Sequence, residues 1–277
     1  MIAPFKTLLL TGAAGFVGRH LAPSLLPLAT RLRVSDLPEV LPEVLPDALI
    51  RTALPADVEA VPCDLADASA VHGLLDGVNA IVHLGGVSVE GPFEPILQAN
   101  IRGLHNLYEA ARRQGTRRIV FASSNHVTGC YPQAQTLTPQ DPPRPDGNYG
   151  LSKLFGEGIG SLYWDRFGIE TVCLRIGSAL PAPPDRRGLA TWLSLPDLAQ
   201  LVRCALTAPS VGFLVAYGIS ANTRAFWDTQ AAWDRLGYVP QDNSESFAPE
   251  VEHLLQPEGP MRQLQGGLFL GVGPFED

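Results

Sequence analysis

The chain has 277 residues, 45% of them hydrophobic, and a formal net charge of −8 at pH 7. This length suits one large α/β domain, or a main domain with a smaller lobe. The acidic balance and the lack of a basic stripe argue against nucleic acid as a partner. We expect neither a membrane-spanning helix nor a signal peptide. The four cysteines are far apart, which favours reduced thiols in a cytoplasmic protein without a metal site.

A glycine-rich turn follows the first apolar segment. Residues 6–10 are typical of a buried parallel strand, and Gly12, Gly15 and Gly18 come directly after them. Gly12 allows a tight turn, Gly15 lets the backbone approach a pyrophosphate, and Gly18 lets the next helix pack closely. The N–H groups at the start of that helix can bind phosphates. We predict a dinucleotide-binding loop, and we add the next two helical residues to its cofactor contacts, Phe16 and Val17.

Asp36 ends a second strand-like segment, about 20 residues after the glycine turn, where a dinucleotide site carries an acidic residue. Its carboxylate can accept hydrogen bonds from both hydroxyls of the adenosine ribose and would repel a 2′-phosphate. We therefore predict NAD and not NADP, with a solvated loop aspartate as the alternative. Prolines at every fourth position then exclude a helix interior, so residues 37–62 are predicted to form an extended surface connection.

The next two segments predict the adenine end and the middle of the cofactor site. Residues 61–65 resemble a strand end, where Asp64 could reach the adenine amino group; Asp64 could also cap the helix that starts near residue 67. A buried strand over 80–88 ends in small residues, which leave room at the crevice where open α/β sheets bind ligands. The remaining predicted contacts in these segments are Leu65, Leu84, Gly85 and Gly86 for the cofactor and Ser88 for the substrate.

Asn100 is polar on a helix that continues to Gln114 and should pack on the sheet. We include it among the predicted cofactor contacts, with a purely structural hydrogen-bonding role as the alternative.

Tyr149 and Lys153 are four residues apart on a predicted helix over 149–167, so they share one face. A phenol titrates near pH ~10, and a nearby ammonium favours its phenolate form. Ser124 lies at the exit of a fifth strand, 25 residues before Tyr149. The tyrosine and the lysine together predict proton transfer to or from an alcohol or a carbonyl.

In this order and spacing, the glycine turn, Asp36, Asp64 and the Ser124, Tyr149 and Lys153 set resemble the extended short-chain dehydrogenase/reductases. The chain is further similar to the uronate dehydrogenases in five stretches, residues 83–90, 121–126, 144–150, 174–178 and 265–267. The resemblance implies an α/β fold, a Rossmann-like doubly wound parallel sheet with a small C-terminal substrate-binding lobe. It covers residues 1–277 as a single domain, with a core of roughly 1–176 and lobe elements mainly in 177–277.

The uronate dehydrogenase family oxidises the anomeric C1 hydroxyl of a hexuronic acid, D-glucuronate or D-galacturonate, to an aldaro-lactone with NAD. The resemblance implies that Tyr149 takes the hydroxyl proton, that Lys153 favours the phenolate and binds the nicotinamide ribose, and that Ser124 hydrogen-bonds the reacting oxygen. Ile176, at the end of the sixth strand, joins the implied cofactor contacts. A homo-oligomer is also expected.

A uronate needs a group that binds its carboxylate, and arginine suits bidentate carboxylate binding. By alignment with the family this is Arg187, although Arg186 and Arg187 could be ordinary loop charges. His126 could act as a second proton carrier or as a neutral hydrogen-bonding group. The side chains implied to hold the sugar hydroxyls are Ser88, Asn125, His126 and Ser178.

Two other functions remain open at this stage. A sugar-nucleotide epimerase or dehydratase would recycle a tightly bound NAD, and a non-catalytic NAD-sensing protein could keep the fold.

In the second half of the chain we predict a helix within 192–206, a strand over 212–217 and an amphipathic segment over 226–236 with Trp227 and Trp233 in the core. The glycine-containing tail shows no chemistry and is interpreted as a region of subunit contacts.

Overall fold

The computed structural model of the protein describes residues 3–41 and 57–275. The strands of this part are β1 (Phe5–Thr11), β2 (Ala29–Ser35), β3 (Asp57–Ala60), β4 (Ala80–His83), β5 (Arg118–Ser124), β6 (Glu170–Ile176), β7 (Ser178–Ala179), β8 (Trp192–Leu193) and β9 (Phe213–Gly218). Seven of them form a parallel sheet in the order β3-β2-β1-β4-β5-β6-β9. The short strands β7 and β8 form a separate parallel pair.

Helices cover both faces of the main sheet. The α-helices are α1 (Phe16–Leu25), α2 (Ala68–Leu74), α3 (Phe93–Ile96), α4 (Gly103–Gln114), α5 (Asn148–Phe167), α6 (Gly188–Thr191), α7 (Leu195–Thr207), α8 (Gln230–Leu236), α9 (Ala248–Val251) and α10 (Pro260–Gln263). A π-helical stretch, Leu97–Arg102, joins α3 to α4. Short 3₁₀ turns lie at Leu26–Leu28, Asn125–Thr128, Ser244–Phe247 and Gly267–Gly271. Among the described helices none is long and apolar enough to cross a membrane.

The central strands are buried on both faces, which explains their continuous apolar sequence. In β1, Leu8 and Leu10 pack in the cluster that includes α1 and α7, whereas Leu9 packs in the cluster that includes α2 and α4. Successive side chains of a strand point to opposite faces, so each helical layer receives alternate residues. The prediction of a Rossmann-like, doubly wound parallel sheet is confirmed.

Several predicted elements agree with the structure. Helix α5 covers the predicted helix over 149–167, and α4 ends at Gln114. Helix α7 begins one residue before Pro196. Trp227 and Trp233 are buried in the core as predicted, although α8 begins only at Gln230.

Two elements that we predicted in the C-terminal lobe, a strand and a helix, belong to the core around the main sheet. Strand β9 pairs with β6 from Thr171 opposite Phe213 to Ile176 opposite Gly218. Helix α7 packs against α1 and β5 beside it. The core boundary predicted near residue 176 therefore needs correction, since residues 195–218 also belong to the core. Residues 178–193 and 219–275 supply the remaining elements outside it.

The segment between β2 and α2 also differs from the prediction. Strand β3 lies inside the predicted surface connection over 37–62 and pairs with β2. The predicted strand end at 61–65 begins one residue after the end of β3 at Ala60. Val61 and Cys63 nevertheless donate backbone N–H groups to the carbonyls of Val34 and Asp36 at 2.9 Å. Residues 42–56 of the predicted connection, which include the second half of the proline repeat, lie outside the described residues.

A buried ion pair joins α5 to the sheet. Glu157 accepts from Arg175 at two points, Nε to Oε1 and Nη2 to Oε2, each at 2.8 Å. Ser123 Oγ on β5 donates to Glu157 Oε1 at 2.7 Å. The side chains of Arg175 and Glu157 are only 4% and 7% exposed. Removing either partner would leave the other charge buried and uncompensated.

Replacing Arg175 should therefore destabilise the protein strongly. We expect Arg175→Ala to lower the free energy of unfolding by about 3–5 kcal/mol, measured by urea denaturation. Arg31→Ala is the matched control, because Arg31 is also a strand arginine in an ion pair, with Asp57, but its side chain is 47% exposed. Loss of an exposed pair costs about 0–1 kcal/mol. Equal effects of the two substitutions would contradict the structural role of the Glu157 pair.

Candidate active site

A cavity of about 1060 Å³ opens where the strand order reverses between β1 and β4. The carboxyl ends of parallel strands meet at such a switch point, where open α/β sheets bind ligands. Its wall includes the glycine turn, the ends of β2, β4, β5 and β6, the loop before α6, and the C-terminal segment.

The glycine turn has the backbone that a phosphate site needs. Gly12 has φ +69°, and an added Cβ would lie 2.7 Å from the carbonyl carbon of Leu84. At Gly18 a Cβ would overlap the carbonyl oxygen of Gly12. Gly15 is the N-cap of α1, whose first turn holds no acidic residue. The free N–H groups and positive dipole end of α1 therefore face the cavity ready for an anion.

Asp36 supports the glycine turn from the end of β2. Its Oδ2 accepts from the N–H of Ala14 and its Oδ1 from the N–H of Leu37, both at 2.9 Å. Asp36 also lines the cavity. Each carboxylate oxygen keeps a lone pair for a ligand hydroxyl.

Most of the predicted cofactor contacts line this cavity. Phe16, Val17, Leu84, Gly86 and Ile176 do so together with the glycine turn. The predicted cofactor contacts that the cavity wall lacks are Asp64, Leu65, Gly85 and Asn100.

The backbone N–H of Gly85 donates to Thr11 Oγ1 at 3.2 Å, and a Cβ at Gly85 would meet the side chain of Leu65 at 2.9 Å. Asp64 Oδ1 accepts from the N–H of Ala66. The cap of α2 is Asp67, which accepts from two N–H groups. The alternative in which Asp64 caps that helix is therefore wrong.

Asn100 makes only internal hydrogen bonds. Its Oδ1 accepts from the N–H of Val87 at 2.8 Å. Its Nδ2 donates to the carbonyl of Val87 at 3.0 Å and to Ser152 Oγ at 2.9 Å. This arrangement fixes the loop after β4 onto α5, which favours the structural alternative for Asn100.

The three residues predicted for proton transfer meet in the cavity. Tyr149, Lys153 and Ser124 are all buried and all line it. Burial raises the pKa of Tyr149 to about 12, although a hydrogen bond with Ser124 opposes the change. Burial also lowers the pKa of Lys153 to about 8. Burial favours the neutral form of both groups, so it opposes the effect that we expect the lysine charge to have on the phenol.

Glu90 is a site residue that the sequence analysis missed. Its Oε1 accepts from the N–H of Asn148 and its Oε2 from the N–H of Tyr149, both at 2.9 Å. Gly147 makes room for this carboxylate, since a side chain there would overlap it. A carboxylate is stabilising at a helix N-terminus, so Glu90 fixes the first turn of α5 and with it the backbone of Tyr149.

Arg187 is held from two sides at the cavity wall. Its Nε donates to the carbonyl of Gln265 at 2.7 Å. The Asn125 amide, oriented to donate to the carbonyl of Ile176 at 3.1 Å, accepts from Arg187 Nη2 at 2.9 Å. Burial lowers the pKa of Arg187 while Asp185 and Asp146 raise it, and a guanidinium stays charged in proteins. Arg186 is exposed at the same wall.

His126 pairs with a buried carboxylate that the sequence analysis did not identify. Its Nδ1 lies 2.7 Å from Asp146 Oδ2. The ring of Phe269 stacks on the imidazole with centroids 3.8 Å apart, and Tyr149 lies edge-on at 5.8 Å. Asp146 and Phe269 thus fix the position of the imidazole at the cavity wall.

The two serines predicted to hold sugar hydroxyls, Ser88 and Ser178, lie at different depths. Ser178 Oγ hydrogen-bonds Thr191 Oγ1 at 2.9 Å, while Ser88 is exposed at the rim of the cavity. The glycine-containing tail contributes Gly266, Gly267 and Phe269 to the wall. Its role in subunit contacts stays a prediction. In the described part of the chain, no cluster of three or more His, Cys, Asp or Glu side chains could hold a metal ion.

Comparisons with known proteins agree with this site. The model of the NAD dependent epimerase/dehydratase family matches residues 8–191. A uronate dehydrogenase of Pseudomonas syringae pv. tomato is 50% identical over 276 residues, which cover 99% of this chain and 96% of the relative. A uronate dehydrogenase of Agrobacterium fabrum is 47% identical, with 96% and 97% covered. The crystal structure of uronate dehydrogenase from Agrobacterium tumefaciens has a TM-score of 0.89 at 45% identity and covers 99% of this chain and 100% of that chain.

The matched family model, the parallel sheet and the glycine turn define an NAD-dependent dehydrogenase of the epimerase/dehydratase family, acting on CH–OH groups. A mutant of the Agrobacterium tumefaciens enzyme complexed with NAD has a TM-score of 0.88 to this chain. With relatives at 47–50% identity over nearly its full length, the chain belongs to the uronate dehydrogenases. The resemblance found in the sequence is confirmed.

His83, beneath the site, gives a pH-dependent prediction. Its Nδ1 lies 2.8 Å from Thr11 Oγ1. Burial, and secondly the charge of Lys153, lower its pKa from 6.5 to about 3. Between pH 6.5 and pH 3 the imidazole of His83 is protonated in the unfolded chain but neutral in the folded protein. The free energy of unfolding therefore decreases as pH falls through this range, by up to about 1.4 kcal/mol per pH unit.

We expect His83→Gln to reduce the loss of stability between pH 7 and pH 5, measured by urea denaturation at both values. The contribution removed should be about 2 kcal/mol. His105→Gln, at an exposed histidine on α4, is the control and should leave the pH dependence unchanged. A His83→Gln variant as acid-sensitive as the parent would show that the buried imidazole does not titrate in this way.

Proposed function

We propose that the enzyme oxidises the C1 hydroxyl of D-glucuronate or D-galacturonate to an aldaro-lactone, with NAD as the hydride acceptor. One observation carries this assignment. Asn125, which accepts from the guanidinium of Arg187 at 2.9 Å, is the neighbour in sequence of Ser124, beside the buried Tyr149. The cavity thus holds a proton-transfer group and a carboxylate-binding group close enough for one small sugar acid.

The residues that would hold NAD fit its chemistry. The turn at Gly12, Gly15 and Gly18 offers N–H groups to the pyrophosphate, and Asp36 offers acceptors to the adenosine ribose. Phe16, Val17, Leu84, Gly86 and Ile176 complete the cavity wall. Asp64, Leu65, Gly85 and Asn100 would support this surface from behind or at its adenine end. Bound NAD⁺ supplies the acceptor for the hydride from C1.

Tyr149 Oη would remove the proton from the C1 hydroxyl. Because its pKa is about 12 with its protein neighbours, positive charge must favour the phenolate during the reaction. Lys153 supplies one such charge, with Nζ 5.5 Å from the centre of the Tyr149 ring. Its own pKa of about 8 lets the lysine release and regain a proton near neutral pH. Ser124 would fix the reacting oxygen by hydrogen bonding.

Arg187 would bind the carboxylate at the far end of the substrate from C1. A guanidinium forms charge-assisted, bidentate hydrogen bonds with a carboxylate. Ser88, Asn125, His126 and Ser178 would hold the ring hydroxyls. Of these, His126 has its position fixed by Asp146.

Replacing the tyrosine tests the proton-transfer role. We expect Tyr149→Phe to lower kcat by about 10²–10⁴-fold, followed as NADH absorbance with either uronate. NAD binding, measured by calorimetry, should stay unchanged. Tyr163→Phe, on the same helix and hydrogen-bonded to Glu109, is the matched control and should keep its turnover. Turnover near the parent level in Tyr149→Phe would rule out the phenol as the base.

Replacing Arg187 tests the carboxylate site. We expect Arg187→Ala to raise the KM for the uronate by about 100-fold, the effect of losing two charge-assisted hydrogen bonds, with a smaller change in kcat. Arg186→Ala is the control, since Arg186 is exposed, and should leave KM within about twofold. An unchanged KM in Arg187→Ala would place the carboxylate elsewhere. Net NADH accumulation in the parent distinguishes the dehydrogenase from an epimerase that recycles NAD.

A further inference from the structure

Gln265 is buried in the C-terminal segment, and every one of its hydrogen-bonding groups has a partner. Its Oε1 accepts from Trp227 Nε1 at 2.8 Å. Its Nε2 donates to the carbonyls of Pro132 at 3.1 Å and Gln135 at 2.8 Å. Its backbone N–H donates to the carbonyl of Tyr131 at 2.8 Å. The side chain is thus anchored at several points to the loop that follows β5.

The remaining backbone group of Gln265 meets the substrate arginine. Its carbonyl accepts from Arg187 Nε at 2.7 Å. Two residues on, Gly267 has φ +62°, and an added Cβ would lie 2.7 Å from Arg187 Cδ and 2.9 Å from its Nε. The same short segment therefore binds the head of Arg187 and packs against its stem.

We infer that Gln265 is a positioning residue for substrate binding, which acts by fixing the orientation of Arg187. This inference rests on the proposed binding of the uronate carboxylate by Arg187. With Nε occupied by Gln265 and one Nη2 hydrogen by Asn125, three N–H donors remain on Nη1 and Nη2. The carboxylate then binds end-on across the two Nη nitrogens.

The Gln265 anchor should favour substrate binding because it orders Arg187 before the substrate binds. A free arginine side chain loses much rotamer entropy when it is immobilised. A guanidinium already held by a rigid carbonyl loses less on binding, which raises affinity without a new contact to the ligand. Loss of the anchor should therefore weaken the binding of the substrate carboxylate and leave the chemistry at C1 intact.

A double-mutant cycle tests whether Gln265 acts through Arg187. Gln265→Met removes the amide at similar size, and we expect kcat/KM for the uronate to fall about tenfold, mainly through KM. In an Arg187→Ala background the same substitution should change kcat/KM by less than about twofold, because its target is absent. Gln263→Met is the matched control, since Gln263 is exposed in the same segment, and should behave like the parent.

The outcomes separate this inference from the proposed function. If Arg187→Ala leaves the KM unchanged, the carboxylate assignment itself is wrong. If Arg187→Ala raises KM while Gln265→Met has no effect, or lowers kcat/KM equally in both backgrounds, the positioning role is overturned. Thermal unfolding and NAD binding of each variant check that the rest of the molecule is intact.

A second variant covers the case in which Gln265→Met does not fold. Gly267→Ala keeps the Gln265 side chain but directs a methyl group at the stem of Arg187, at a position whose φ of +62° an alanine adopts only with strain. It should raise the KM for the uronate severalfold and have no further effect once Arg187 is alanine. A Gly267→Ala enzyme with the KM of the parent would contradict the inference independently.

Discussion

The relative position of the reactive groups depends on the buried ion pair between Glu157 and Arg175. Tyr149, Lys153 and Glu157 follow one another at intervals of four residues, so they lie on one face of α5. Glu157 at the end of this row binds Arg175 on β6 and Ser123 on β5. A single carboxylate thus fixes the helix that carries the phenol to the strand that carries Ser124.

Local patterns were sufficient for the central strands, the glycine turn and Asp36. Buried parallel strands are continuous apolar segments, and the glycine turn and Asp36 follow their strands at fixed distances, so both could be predicted. The edge of the sheet could not, because no local feature shows which later strand pairs with β6. The groups that hold the site in place share this difficulty. Glu90 caps a helix 58 residues away and Gln265 contacts Arg187 across 78 residues, so only the folded chain reveals them.

The electrostatics of Tyr149 and Lys153 could not be judged from their spacing either. Proximity of an ammonium favours the phenolate, but the sequence does not report how deeply the pair is buried. In the structure, burial raises the pKa of the phenol and lowers that of the amine. Burial thus moves the two pKa values apart, so forming the phenolate requires additional positive charge beside Tyr149.

Asp36 faces the cavity and also supports the glycine turn, and these two roles limit how the cofactor preference can be altered. Its carboxylate lines the cavity, where we propose that it binds the adenosine ribose, and its Oδ2 also accepts from the N–H of Ala14 within the glycine turn. A substitution intended to admit a 2′-phosphate would remove that support as well. Engineering this enzyme towards NADP therefore requires a replacement that still accepts a hydrogen bond from Ala14, such as asparagine or serine, together with a new cationic side chain nearby.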